Sequence, residues 1–244
     1  MSLAPWKSGW FDRATPAKRM LWRAVEAQHL VATMRLVDNL AEQRLLEQIL
    51  EESKPPLPVQ AAGSNYLIFT PFRYVSPQAS RFRAANDPGI WYGADEPQTV
   101  AAELAYWRWK FLNDSDGLRD AQVVTEHTFF QARFTGMELD LTAPPWASLR
   151  PIWRAGNDYS HCQQLAQAVR ALPAPAIAAI RYESARREQG CCAAVFQIKS
   201  LRLPTTHPKQ TWVCKTTRHL VMLSHDRDAF EYSFGDPVRR PPIV

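Results

Sequence analysis

Between residues 66 and 223, runs of strand composition recur at irregular intervals, with only two helical stretches among them. A doubly wound sheet needs a helix between successive parallel strands. Here most strand runs follow one another without a helix, so an α+β fold built on a mixed sheet is expected. The expected strands span 66–69, 72–75, 90–92, 123–134, 139–141, 177–182, 193–198, 212–214 and 220–223. Helical spacing of apolar residues predicts helices over 97–112 and 159–172.

The first 60 residues read differently. Thr15-Pro16 has the form of an N-cap followed by proline at the first helical position. A helix is expected from there to Met34, with Leu21 and Val25 on its apolar side. Asn39 and Glu42 have the spacing of a capping box, and Leu45, Leu46, Ile49 and Leu50 follow at helical intervals. The proline-rich Lys54–Pro58 ends this second helix as a stiff connector. The expected organisation is an N-terminal helical hairpin over 1–60 and a main domain over 61–244, with an irregular proline-rich end at 236–244.

A formal net charge of +5 and a pI near 9.1 suit an anionic partner such as a phosphate, a nucleotide or a nucleic acid. The four cysteines form no C-x-x-C, and His161-Cys162 has no zinc-like companion spacing, so neither a disulfide framework nor a metal site is expected. Pro5, Lys7, Asp12 and Arg13 interrupt any signal-like core, and no apolar run approaches a membrane span. A cytoplasmic protein without a membrane partner is expected.

Three places carry residues capable of chemistry. On the helix from Pro97, the residues Val100, Leu104, Trp107 and Phe111 form one apolar stripe, and Glu103 borders it. A carboxylate there is partly desolvated, and it is either paired with an arginine, laid along the surface or turned into a pocket. Arg73, Arg81 and Arg83 lie on or beside expected strands, just ahead of an Asn-Asp-Pro-Gly turn and an aromatic strand holding Tyr92. Arginine forks suit phosphate oxygens. Lastly, Tyr182, Ser184 and Arg186 follow a strand end. No Gly-x-Ser-x-Gly elbow or His/Asp set accompanies Ser184, which argues against a nucleophile. There is no Gly-rich phosphate loop.

The order of these residues, in the stretches "FRYV", "SRFRAANDPGIWYGADEPQTVAAE" and "AIRYESAR", resembles the RES domain family, named for its Arg, Glu and Ser. The spacing from Arg81 through Tyr92 to Glu103 is the most specific part. The resemblance implies a fold related to ADP-ribosyltransferases. It also implies the toxin of a bacterial toxin–antitoxin pair, which degrades NAD+ by hydrolysis or phosphorolysis and is neutralised by a helix-turn-helix antitoxin of the Xre type. By position, Arg73 and Arg81 match the family arginines, Tyr92 the tyrosine, Glu103 the glutamate and Ser184 the serine. NAD+ would then be substrate rather than cofactor, with water or inorganic phosphate as acceptor. Tyr92 would stack on nicotinamide, both arginines would hold the pyrophosphate, and Ser184 would orient the ribose or Glu103. The chain departs from the family where Gly-Arg-Trp-Asn is often found, since Ser80-Arg81-Phe82-Arg83 stands there and Asn86 lies farther along. Two other readings compete. One is a protein ADP-ribosyltransferase. The other is a basic nucleic-acid-binding module, which the nine tryptophans favour but the scattered arginines and the lack of a recognition motif oppose.

Overall fold

A computed structural model describes residues 4–27, 33–34, 36–118, 120–173, 176–206 and 209–235. The chain is α+β, as expected. A short 3-10 turn, Ser8–Arg13, leads into β1, Thr15–Glu26. Then come α1, Leu40–Glu52, α2, Tyr66–Arg73, β2, Trp91–Ala94, and α3, Pro97–Asp114. The long β3, Val123–Asp140, is followed by the one-turn α4, Arg150–Trp153, and by α5, Ser160–Ala171. Strands β4, Ile177–Glu183, β5, Cys191–Val195, β6, Leu201–Arg202, β7, Lys209–Thr216, β8, Leu220–His225, and β9, Asp228–Ser233, complete the described chain.

The strands join in the order β1-β2-β5-β4-β3-β7-β8-β9, with β6 on β3. Among the described strands only β3 and β4 run parallel, and α4 and α5 lie in the connection between them. β1 also pairs with β3 along its whole length, from Thr15 opposite Glu138 to Glu26 opposite His127. Five strands therefore close into a ring, whose weakest seam is the single β1–β2 pair Trp22 and Ala94. At this seam Arg23 Nη1 donates to the Tyr92 carbonyl at 2.7 Å, where ladder bonds are few. Side chains alternate between two apolar clusters, as the pleat requires. Cys192 and Ala194 of β5 enter one, Ala193 and Val195 the other.

β1 corrects the expected helical hairpin. Its first arm is a strand, and that strand belongs to the main sheet rather than to a separate extension. Leu21 and Val25 are four apart, a spacing that keeps two residues on one side of a helix and of a strand alike. Pro16 is tolerated because the strand is unpaired on its other side there. The rest of the expected helix, residues 28–32, lies outside the described residues. The second arm forms as expected: Asn39 Oδ1 accepts from the Ala41 and Glu42 amides, and Glu42 Oε2 from the Asp38 amide.

The run at 66–69 is the second correction. It opens α2, not a strand, because Asn65 Oδ1 caps it through the Leu67 amide. Residues 72–75 are the end of that helix and the chain beyond it. The helices near 97 and 160 and the strands β2, β3, β4, β5, β7 and β8 stand where the pattern puts them, the run at 139–141 is the end of β3 rather than a separate strand, and β6 and β9 are not among the expected strands. The proline-rich end at 236–244 lies outside the described residues. Among the described residues, no helix is long and apolar enough to cross a membrane.

Candidate active site

Helix α3 starts with proline at its first turn and presents Glu103 two turns in. The loop after β4 is fastened to the same helix end. Arg187 forms an ion pair with Glu96 at 2.6 Å and donates to Thr99 Oγ1 at 2.9 Å and to Gln98 Oε1 at 3.1 Å. Gly190 is required by close approach, since a Cβ there would sit 2.7 Å from Thr99 Oγ1. This fastening brings Ser184 to Glu103 across 81 residues of chain, with Ser184 Oγ donating to Glu103 Oε1 at 2.6 Å. The same Oγ accepts from the Arg186 and Arg187 amides at 3.0 and 3.1 Å. A hydroxyl has one proton and two lone pairs, so this one is fully committed. Its proton is thus directed at the Glu103 carboxylate and its lone pairs at the two amides.

Arg81 sits in a tight turn closed by the Ser80 and Arg83 main chains. It is 6% exposed. Its Nη1 donates to the carbonyls of Trp153, at 2.7 Å, and Ala155, at 3.0 Å, and its guanidinium lies 4.9 Å over the Tyr159 ring. Burial opposes its charge, but Tyr182 and Glu103 nearby hold its pKa above the ordinary arginine value. Tyr92, on β2, has its hydroxyl bonded to Ser80 Oγ at 2.8 Å and to the Phe82 amide at 3.1 Å. Burial raises its pKa.

Glu103, Arg81 and Tyr92 line one cavity of about 220 Å³. Its remaining walls are mostly apolar: Trp22 and Ala24 of β1, Ala94, Val100, Leu104, Trp107, Tyr159, Tyr182 and Cys192. The apolar stripe on α3 is thus in large part cavity wall. Val100, Leu104 and Trp107 face the cavity, Trp107 and Phe111 are exposed, and the core side is Ala101, Ala105 and Leu112. A buried cation, a carboxylate with an orienting hydroxyl, and aromatic walls can together hold an anionic ligand with a flat ring and stabilise positive charge beside Glu103.

Arg73, Arg83 and Asn86 lie elsewhere. Arg73, at the end of α2, is paired with Glu51 of α1 at 3.0 Å and donates to the Pro55 carbonyl at 2.6 Å. Arg83 bonds the carbonyls of Ser76 and Gln78. Asn86 occupies a left-handed turn, φ 65°, with its amide on Ser76. None of these three lines the cavity. Sequence reasoning missed Trp22, Arg23 and Ala24, which border the cavity from a segment read as helix. Arg23 carries a pKa lowered by burial to about 10, and it bonds a carbonyl rather than a carboxylate. Lys18 to Ala24 do not alternate polar with apolar residues, so no period-two signal marks this strand in the sequence.

Residues 57–216 match a family model described as the RES domain. No curated protein matches the chain. Among solved structures, the chain is similar to one titled as the crystal structure of the M. tuberculosis MbcT–MbcA toxin–antitoxin complex. The identity is 15%, the TM-score 0.49, and the match covers 83% of this chain and 92% of that one.

Proposed function

Since the chain belongs to the RES domain family, we propose that it is the toxin of a bacterial toxin–antitoxin pair and breaks the nicotinamide–ribose bond of NAD+. The observation that carries this reading is the 2.6 Å bond by which buried Ser184 holds Glu103, whose side chain lines a cavity together with Arg81 and Tyr92. Cleavage of a glycosidic bond builds positive charge on the sugar. The C–N bond electrons go to the nicotinamide nitrogen, which leaves neutral, so no general acid is needed. Glu103 stabilises the cationic ribose, and Ser184 keeps the carboxylate aimed at it. Tyr92 offers a ring face to nicotinamide, and Arg81, with Arg23 bordering the same cavity, supplies positive charge for the pyrophosphate. A volume of about 220 Å³ lies below the range of about 300–1,000 Å³ usual for ligand pockets, which suits the nicotinamide–ribose end with the remaining dinucleotide at the mouth.

The acceptor is water or inorganic phosphate. Its oxygen bonds to the ribose carbon, and water's proton passes to solvent. Kinship with ADP-ribosyltransferases, which break the same bond, is part of this reading, as are a cytoplasmic site of action and a helix-turn-helix antitoxin of the Xre type as partner. The test is to incubate purified protein with NAD+, with and without phosphate, and to identify the products. Free nicotinamide with ADP-ribose, or with its phosphorylated form, is expected. Intact NAD+ after incubation with folded, antitoxin-free protein would remove the reading. Label transferred from NAD+ to proteins would favour a protein ADP-ribosyltransferase instead.

A further inference from the structure

The N-terminal segment of the chain reaches the candidate site through three hydrogen bonds in series. Trp146 Nε1 donates to the Trp10 carbonyl at 3.2 Å, Trp153 Nε1 to the Trp146 carbonyl at 2.9 Å, and Arg81 Nη1 to the Trp153 carbonyl at 2.7 Å. The indole rings repeat the same path. Trp6 lies 6.2 Å from Trp146 and 6.0 Å from Trp153, while Trp10 meets Trp146 edge-on at 5.3 Å and Phe11 meets it at 5.4 Å. Trp146 and Trp153 are themselves 6.0 Å apart and almost fully buried. Trp6, Trp10 and Phe11 are the half-buried outer cover of this layer.

Arg81 depends on the layer more than a paired arginine would. No carboxylate is among its hydrogen-bond partners, and its guanidinium is aimed by the carbonyls of Trp153 and Ala155 and the face of Tyr159. Both carbonyls belong to the turn that ends α4, a helix of four residues with little stability of its own. That turn is held by the burial of the Trp153 indole together with its main-chain bonds and the bond from Arg154 Nε to the Ser184 carbonyl. The covering residues, 6 to 11, lie outside the residues matched by the family model.

We infer that Trp6 and Trp10 are positioning residues for Arg81, so that the N-terminal segment of this chain sets how well the site holds its anionic substrate. This rests on the NAD+ reading above, and the two are separable. If the unaltered protein leaves NAD+ intact, the reading itself fails. If the unaltered protein cleaves NAD+, the tryptophan variants test the inference alone.

Trp6 is the better probe, because its ring touches both buried tryptophans while Trp10 also gives up a main-chain bond. Trp6→Ala, Trp6→Phe, Arg81→Ala and Trp6→Ala/Arg81→Ala are compared by thermal unfolding and by NAD+ kinetics. Trp6→Ala is expected to raise KM on the order of tenfold with kcat little changed, a size typical of coupled residues. Trp6→Phe should recover most of the loss. In the Arg81→Ala background, Trp6→Ala should cost nothing more. If the two losses multiply, or if kcat alone falls in proportion to the unfolded fraction, Trp6 acts on general stability and the inference is wrong. Should Trp6→Ala fail to fold, Trp6→Leu keeps the apolar volume and enters the same cycle with the same two outcomes.

Discussion

Arg73 and Arg81 stand eight residues apart, and both match family arginines, yet they occupy opposite kinds of place. Arg73 spans the end of α2 and α1, neutralised by Glu51 and a carbonyl. Arg81 is buried against carbonyls and an aromatic face, beside a cavity. A carboxylate partner uses up a guanidinium's charge, whereas carbonyls aim it and leave the net charge for a ligand. Acceptor class alone does not make the difference, since Arg83 also bonds carbonyls and lies off the cavity; Arg81 combines carbonyl partners with a place on the cavity wall.

Substitutions at four positions sharpen or break that contrast. The largest effect is expected at Glu103, the charge Arg81 faces. Glu103→Gln should slow NAD+ cleavage on the order of a hundredfold or more while the protein stays folded. Near-normal turnover by a folded variant would sink its assignment. Next comes Arg81→Ala, with an expected loss of about ten- to a hundredfold, most of it in KM, from removing charge-assisted hydrogen bonds. Lysine at 81 should restore only part, lacking the planar fork. Nicotinamide riboside, which has no pyrophosphate, should be cleaved poorly and respond little. Equal losses on both substrates would move Arg81's role to the ribose or to Glu103.

Ser184→Ala should cost less, about tenfold, because it removes an aim rather than a charge. Mass spectrometry should find no adduct on Ser184 in the unaltered protein, and a trapped covalent intermediate there would contradict the orienting role. The smallest effect belongs to Arg73→Ala. Its partner Glu51 is 60% exposed, and exposed pairs contribute little, so turnover should stay within about twofold. A loss at Arg73 matching that at Arg81 would erase the contrast altogether.

Much of the site was legible as residue types. Glu103 and Ser184 were singled out as a helix carboxylate and a loop hydroxyl, and the structure places them in contact. The contact itself was not legible, since it depends on Arg187 and Gly190 seating the loop on the first turn of α3. Arg73 was grouped with Arg81 because nearness along the chain was the only geometry available, and the intervening end of α2 turns it away. The stripe of Val100, Leu104 and Trp107 has the periodicity of a core face, and periodicity cannot distinguish a core from the wall of a cavity. In the fold, α3 and α5 were legible because long helical stripes are hard to mistake. β1 and α2 were not, because a four-residue spacing suits both periods and a short apolar run suits either structure. Misreading β1 also hid Trp22 and Arg23, which carry no signal once their segment is taken for a helix.

The ring closed by β1 has a consequence in time. Arg19 and Glu138, bonded across β1 and β3, are 119 residues apart. At about 5–20 residues per second, roughly 6–24 s of synthesis separate the appearance of one from the other. During that interval the strand that will supply one wall of the cavity has no β3 to pair with, and Ser184 is made later still. A chain stalled after Glu103 would carry the carboxylate but neither the hydroxyl that aims it nor the wall that encloses it. Long-range pairing of this kind also closes slowly once the chain is complete. The candidate pocket is thus a property of the finished molecule, and an unfinished copy on the ribosome does not contain it.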